Sequence, residues 1–292
     1  MNNWLVFSNV SRMLRAGLLA LAALGGIMAA CAAPASAQGT VTNNDQYTVF
    51  LLQSEAPNGS QVFTDSSAGH TEPHPVTVFG DAHHSTAQAR FGSSSMRFDG
   101  SGDYLTVPSS VDFEMGTGAF TVDFWYYHVG TGMNGRFFAH TSANRFTGYV
   151  LGDCAAFHMG GGGVLSPTGI TQPGWHHVAV VRRGDNGLTG VSLDGIFGTW
   201  SDQYAGPVPA DGLTIASIFN SYFQNGYMEE FRVSKGIARW TENFTPPGAP
   251  VGTATPTPQF TATPAPLPAT AWPGLMLLVV ALTGLLVRWC RK

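Results

Sequence analysis

The stretch that decides the fold is residues 225–247, NGYMEEFRVSKGIARWTENFTPP, which predicts a strand, a basic turn and a Pro-Pro stop. In the strand predicted for residues 227–233, strict alternation places Glu229 on an apolar face and Glu230 on the opposite face. The apolar face then consists of Tyr227, Phe231 and Val233. A carboxylate among such side chains is costly unless a cation, an arginine or backbone donors satisfy it, so Glu229 marks a place for ion chemistry.

Outward from this stretch, residues 45–250 contain many short strands separated by Gly, Asn and Asp turns, with no helical periodicity. In the strand predicted for residues 120–127, alternation puts Trp125 and Tyr127 on the face opposite Phe120, Val122, Phe124 and Tyr126. Numerous short strands with such turns predict an all-β protein, built as a two-sheet antiparallel sandwich or jelly roll.

Several motifs in residues 47–247 resemble those of laminin G-like domains of the concanavalin A-like lectin type, and they occur in the same order. They are FTDSS at 63–67 with Gly69-His70, FGSSSMRFDGSGDYL at 91–105, GAFT at 118–121 with DFW at 123–125, GWHHVA at 174–179, and the closing stretch 225–247. The resemblance implies a jelly roll of two antiparallel sheets.

The resemblance also implies a cofactor. The opening and closing strands of the family commonly each carry an Asp that helps to hold a structural calcium ion. The corresponding residues here are Glu55 and Glu229, each one methylene longer, so the site is either kept with a small backbone adjustment or lost. The alternative for Glu229 is a buried ion pair with Arg97 or Arg239, and the alternative for Glu55 is an ordinary loop acid.

Four histidines lie within fifteen residues and raise the question of a transition-metal site, because imidazole is a ligand of zinc and copper. They are His70, His74, His83 and His84. Their surroundings are rich in Thr, Pro, Gly and Ser and lack strand spacing, which favours solvated loop histidines. Of the neighbouring pair His176 and His177, one is expected to pack in or near the core.

No catalytic pattern is found. Glycosidases with this jelly roll carry Glu-x-Asp-x-x-Glu on one strand, and no such string occurs here. Cys154 and His158 lack a recognisable orienting partner. Residues 38–270 contain all 18 acidic residues but only nine of the 14 basic ones, a net charge of −9, which argues against nucleic acid as a partner. Cys154 is the only cysteine of the predicted domain, so no disulfide is expected within it.

Both ends of the 292-residue chain are predicted to be sorting segments. Residues 1–37 have the basic start, apolar run and Ala-Ser-Ala end of a signal peptide, with lipidation at Cys31 as the alternative. Residues 251–270 predict a Thr/Pro-rich stalk, and residues 271–292 predict a membrane-spanning helix with a basic tail. The junction resembles PEP-CTERM-like signals read by exosortases, and also sortase signals; a plain membrane anchor is the alternative. Its motif is Pro266, Leu267, Pro268, Ala269 and Thr270.

These observations favour a non-catalytic binding module displayed on a bacterial cell surface, with a glycan or a surface or matrix protein as partner. The alternative is a structural component of the envelope or extracellular matrix that has no small ligand. Sugars stack on Trp and Tyr rings, and Trp125 with Tyr127 is the same-face aromatic pair that the sequence offers. For Trp125 the competing expectation is packing inside the protein.

Overall fold

The computed structural model describes residues 43–253, except residues 71, 131–134, 142–145, 185–186 and 203–204. Within them the chain forms short strands and one 3-10 helix, Val111–Phe113. The strands are β1 Asn43–Asn44, β2 Thr48–Leu52, β3 Thr77–Phe79, β4 His83–Ser85, β5 Ser95–Asp99, β6 Tyr104–Ser110, β7 Phe120–His128, β8 Arg136–His140, β9 Phe146–Leu151, β10 Cys154–Met159, β11 Gly162–Gly169, β12 Gly174–Arg182, β13 Thr189–Leu193, β14 Ile196–Phe197, β15 Asp211–Ile215, β16 Asn225–Lys235 and β17 Gly252–Thr253.

The strands form two large sheets. The smaller sheet has the order β11-β10-β9-β8-β15-β6-β3, and the larger has the order β14-β13-β12-β7-β16-β5-β4, with β2 also paired to β16. All pairings in both sheets are antiparallel, whereas β1 and β17 pair in parallel beside them. The predicted all-β sandwich of two antiparallel sheets is therefore confirmed.

Phenylalanine side chains join the two sheets in the core. Phe124 of β7 stacks on Phe231 of β16 at 5.6 Å, and Phe138 of β8 in the opposite sheet lies 5.9 Å from Phe231. Full burial of each such ring contributes about 1.5–3 kcal/mol. The alternation predicted for residues 120–127 is confirmed, since Phe120, Val122, Phe124 and Tyr126 are all core residues with at most 1% exposure.

A β-bulge changes the register of β16. Glu229 lies opposite Trp125 and Arg232 lies opposite Asp123, so Glu230 and Phe231 together face one residue of β7. Glu230 adopts a left-handed φ of 55° at this point. The extra residue places Phe231 in the core and Glu229 on the outer face of the larger sheet. The prediction that Glu229 shares a face with Phe231 and Val233 is therefore wrong.

The chain after β16 covers part of this outer face. Trp240 is 1% exposed, stacks on Phe244 at 4.2 Å and packs with Ala179 and Val181 of β12 in a small second apolar cluster. His177 of β12 also contacts Trp240, which confirms that one of the two neighbouring histidines is packed inside the protein.

The predicted sorting segments lie outside the described residues. This applies to residues 1–37, to residues 271–292 and to all of the stalk after Thr253, so these assignments stay predictions. Along the part of the chain that the structure describes, there is no helix with the length and apolarity needed to cross a bilayer.

Candidate binding site on the outer face of the larger sheet

Five side chains on the outer face of the larger sheet lie in one line across five neighbouring strands. Trp175 of β12 is paired with Tyr127 of β7, and Tyr127 is paired with Tyr227 of β16. Tyr227 is paired with Arg97 of β5, and Arg97 with His83 of β4. All five residues are partly exposed. We call this line the aromatic row: Trp175, Tyr127, Tyr227, Arg97 and His83.

The rings of the aromatic row contact one another. Tyr127 meets Trp175 edge to face at 5.5 Å and Tyr227 at 5.8 Å. The Arg97 guanidinium lies 5.0 Å from the centre of the Tyr227 ring, within the range of a cation–π interaction. Arg97 is held there because it donates to the side-chain oxygen of Asn225 at 3.0 Å and to the carbonyl of Gly226 at 3.1 Å. The row therefore combines aromatic rings with a fixed hydrogen-bond donor.

Trp125 lies one step further along β7 and is not part of this accessible surface. It is 5% exposed, with the Arg90 guanidinium 4.2 Å from its ring centre and with Phe91 and His177 against its edges. Of the aromatic pair selected from the sequence, Tyr127 is accessible and Trp125 is covered. The residues missed were Trp175 and Tyr227, and only the strand register brings them beside Tyr127.

Backbone donors satisfy Glu229. Its two carboxylate oxygens accept the N–H groups of Arg90 at 2.7 Å and Phe91 at 2.9 Å. Arg97 is engaged in the aromatic row, and Arg239 forms its ion pair with Asp45 at 2.8 Å. The ion pair with Arg97 or Arg239, which was the alternative considered for Glu229, is therefore wrong. The backbone of the loop that carries Arg90 and Phe91 supplies the hydrogen bonds instead.

Three glutamates interact electrostatically near this loop. Burial raises the pKa of Glu229 to about 7; its two backbone donors oppose the shift, and the charges of Glu230 and Glu55 add to it. Glu55 is exposed, accepts a hydrogen bond from Ser93 at 3.4 Å and reaches so close to Gly92 that a Cβ there would collide with its carboxylate. Carboxylate oxygens are the ligands calcium prefers, so Glu55 and Glu229 fit that ion in chemistry, and the calcium site stays a prediction.

The histidine-rich segment is folded rather than solvated. His84 is 2% exposed, stacks on Phe63 at 4.3 Å and lies 2.6 Å from the hydroxyl of Ser54. The side chains of His70 and His74 are 7% and 9% exposed and lie beside Asp65. The expectation of solvated loop histidines is therefore wrong for these three. The segment is organised around the Asp65 carboxylate rather than by strand periodicity, so its sequence shows no repeat.

Comparison with known proteins agrees with this architecture. Residues 99–242 match the family model of the concanavalin A-like lectin/glucanases superfamily, of the laminin G type. This part of the chain is therefore similar to the laminin G-like domains of that superfamily. No curated protein matches the chain.

Several similar solved structures come from toxins, and two of the following three are binding domains. The binding domain of botulinum neurotoxin DC in complex with SialylT is 12% identical with a TM-score of 0.51, over 67% of this chain and 49% of that chain. The binding domain of Paraclostridial Mosquitocidal Protein 1 is 11% identical with a TM-score of 0.52, over 68% and 51%. A structure of botulinum neurotoxin type C, whose cell entry depends on interaction with two ganglioside molecules, is 14% identical with a TM-score of 0.51, over 67% and 50%. The chain thus covers about half of these proteins, and at such identities the likeness is one of fold.

Proposed function

We propose that this domain is a non-catalytic binding module and that the aromatic row binds a glycan. The observation that carries the proposal is the register that sets Trp175, Tyr127 and Tyr227 side by side on a partly exposed sheet face. Faces of Trp and Tyr rings stack on the apolar faces of sugars, and Arg97 offers donors for hydroxyl groups at the end of the aromatic set. Botulinum neurotoxin type C, whose cell entry depends on interaction with two ganglioside molecules, shares this fold, which supports a glycan as the ligand.

The acids near the row support binding without catalysis. Glycoside cleavage needs two carboxyl groups on either side of the scissile bond, one of them free to donate a proton. Glu229 is turned towards the N–H groups of Arg90 and Phe91, and Glu230 accepts from the N–H of Val251 at 2.6 Å. Both groups are committed to the protein's own backbone.

A glycan array probed with the purified protein, followed by titration of the best ligand, tests the proposal. Trp175→Ala and Tyr127→Ala are each expected to weaken binding about tenfold, because a lost stacking contact is worth roughly 1.4 kcal/mol. Tyr47→Ala is the matched control, since Tyr47 is 38% exposed and lies outside the row. Retention of full affinity by both row variants would contradict the proposal. The absence of any glycan ligand, together with concentration-dependent self-association, would favour the structural envelope or matrix role.

We also propose that the module is displayed on the bacterial cell envelope. The basic start and Ala-Ser-Ala end of residues 1–37 and the sorting motif at Pro266–Thr270 support this, with an exosortase-like or sortase-like enzyme as the processing partner. The mature protein is expected to begin at Gln38, and deletion of the residues after Thr270 is expected to release it from the cells. Mass analysis that finds a lipidated Cys31, or a truncated protein that stays on the cells, would count against this assignment.

A further inference from the structure

Asp65 is held in a fixed orientation by the chain around it. Its Oδ1 atom accepts the N–H of Leu51 at 3.0 Å, and the N–H and the hydroxyl of Ser67 at 3.0 and 2.8 Å. The side chain is fully buried. Oδ2 accepts the backbone N–H of His74 at 3.1 Å and faces two imidazole rings, with His74 Nδ1 at 2.7 Å and His70 Nε2 at 3.0 Å.

His74 is oriented from its far side. Its Nε2 atom lies 3.2 Å from a carboxylate oxygen of Asp112 and 3.3 Å from the hydroxyl of Ser110, at the 3-10 helix Val111–Phe113. Its ring also rests against Phe113 at 5.0 Å. A carboxylate on the outer nitrogen is the arrangement that orients a metal-binding histidine in proteins, because it fixes both tautomer and ring orientation. In His74 the inner nitrogen, Nδ1, faces the Asp65 carboxylate.

His70 lacks a hydrogen bond although it is buried. Neither of its ring nitrogens makes one with any residue that the structure describes, because the geometry at Asp65 is misaligned despite the 3.0 Å distance. A buried polar group without a partner costs about 1–3 kcal/mol. The position of His70 depends on Gly69, where a Cβ would lie 2.5 Å from the carbonyl oxygen of Thr48, so the loop approaches β2 as closely as only glycine permits.

A cavity of about 750 Å³ opens beside the two imidazoles. Its lining includes His70, His74, Glu72, Ser110 and Asp112. The two histidine side chains therefore lie between the buried Asp65 carboxylate and this cavity.

We propose that Asp65, His70 and His74 bind one divalent transition-metal ion of the zinc class, with a fourth position open to the cavity. The ligand atoms are Asp65 Oδ2, His70 Nε2 and His74 Nδ1, which lie within 4.8 Å of one another. Zinc bonds of about 2.0–2.2 Å in a tetrahedron place ligand atoms about 3.4 Å apart, so the observed separations require only small ring movements. Two imidazole nitrogens with one carboxylate favour zinc over calcium, which prefers oxygen ligands alone.

This site shares no residue with the aromatic row or with Glu55 and Glu229. Its three ligands all lie in the loop after β2, and the contact of His74 with Asp112 joins this loop to the 3-10 helix.

The test is zinc titration of the full-length protein, purified without a histidine tag, by calorimetry and by metal analysis after dialysis. One equivalent of Zn²⁺ per chain is expected, and an excess of Ca²⁺ should not displace it. His70→Ala and His74→Ala should each weaken zinc binding by more than about 100-fold, and Asp112→Asn by about 10–100-fold as an outer-shell change. His158→Ala, at a half-buried histidine outside the cluster, is the matched control and should bind as the unaltered protein does.

His70→Ala removes no hydrogen bond, so this variant is expected to fold, and its unchanged circular dichroism without metal verifies that. Bound Co²⁺ should show the visible absorption of a tetrahedral site in the unaltered protein and lose it in His70→Gln. Folded unaltered protein that binds no zinc, or zinc stoichiometry and affinity that stay unchanged in both His70→Ala and His74→Ala, would overturn the proposal.

Discussion

Glu230 has a left-handed backbone, which is costly for a residue with a side chain, by roughly 1–3 kcal/mol. Hydrogen bonds from Val251 N–H at 2.6 Å and from the side chain of Gln53 at 3.2 Å compensate for it. The bulge directs two adjacent glutamates to two different loops. Glu229 caps the backbone at residues 90 and 91, and Glu230 holds the segment that ends the domain.

The buried carboxyl of Glu230 predicts an unusual pH dependence of stability. Burial raises the pKa of Glu230 to about 7, against the opposing hydrogen bonds from Val251 and Gln53, from an ordinary value of 4.5. The folded chain therefore holds this proton more tightly, so the stabilisation is complete below pH 4.5 and is lost as the pH rises through 7. Between pH 4.5 and 7, the free energy of unfolding of the Glu230→Gln variant should therefore fall less steeply than that of the unaltered protein.

Urea denaturation at a series of pH values measures this difference. Burial lowers the pKa of His140 to about 4, so His140 changes the free energy of unfolding with pH in the opposite direction. This contribution is the same in the unaltered protein and in the Glu230→Gln variant, so it cancels when the two are compared. Equal slopes for the two proteins would show that Glu230 does not titrate in this range.

Calcium is expected to raise the melting temperature through Glu229 and Glu55. At free calcium one hundred times the dissociation constant, the gain is about 2.7 kcal/mol. Glu229→Gln should abolish the calcium response and Glu55→Gln should weaken it, while Glu242→Gln, at an exposed acid elsewhere, should leave it unchanged. A melting temperature indifferent to both calcium and chelator would rule out the site. Glu229→Gln would still destabilise the domain in that case, because the two backbone N–H groups donate to different carboxylate oxygens and an amide nitrogen in place of one oxygen cannot accept.

At the scale of the elements, strands β7 and β16 are joined by an ion pair as well as by their backbones. Arg232 donates to both oxygens of Asp123, at 2.9 and 2.8 Å, and the two residues lie directly opposite each other. Both are almost fully buried. Burial raises the pKa of Asp123, but the charge of Arg232 and the hydrogen bonds from His177 and Arg232 lower it to about 2.

Asp123→Asn is expected to destabilise the domain by about 3–5 kcal/mol, because it leaves the Arg232 charge buried without its counter-ion. Asp202→Asn, at an exposed position, should change the free energy of unfolding by no more than about 0.5 kcal/mol. Equilibrium denaturation at neutral pH measures both. A loss below about 1 kcal/mol for Asp123→Asn would mean that other groups compensate Arg232.

The sequence predicted β7 well because a straight strand obeys alternation, and every core residue of Phe120–His128 followed it. The same rule failed in β16, because alternation cannot reveal the extra residue at Glu230. It also could not find the aromatic row, since Trp175 and Tyr127 are 48 residues apart and meet only through register. His70 and His74 were misjudged for a related reason: what orders them is a single carboxylate, that of Asp65.

At the scale of the whole domain, the last described residues complete the structure. Val251 is 4% exposed, and its carbonyl accepts from the side chain of Gln53 at 2.7 Å. Its N–H satisfies Glu230, and β17 follows directly. A domain that ended with the last strand predicted from the sequence, residues 227–233, would lack the hydrogen bonds that Val251 makes with Glu230 and Gln53.

A fragment of residues 38–253 is expected to fold as a β-protein whose stability is unaffected by reducing agents, because Cys154 is a free thiol. A fragment that ends at Pro247 should be less stable by roughly 1–3 kcal/mol, since buried Glu230 loses a donor. Circular dichroism and urea denaturation of the two fragments provide the measurement. Equal stability would show that residues 248–253 contribute nothing to folding.

The parallel pairing of β1 with β17 has a consequence for engineering. Asn43 pairs with Gly252 and Asn44 with Thr253, so the chain enters and leaves the domain at neighbouring points about 4.8 Å apart. A domain with its ends so close can be spliced into a surface loop of a host protein with little strain on the host. The domain can therefore be joined to a host protein either at one of its termini or as an insertion within a loop of the host.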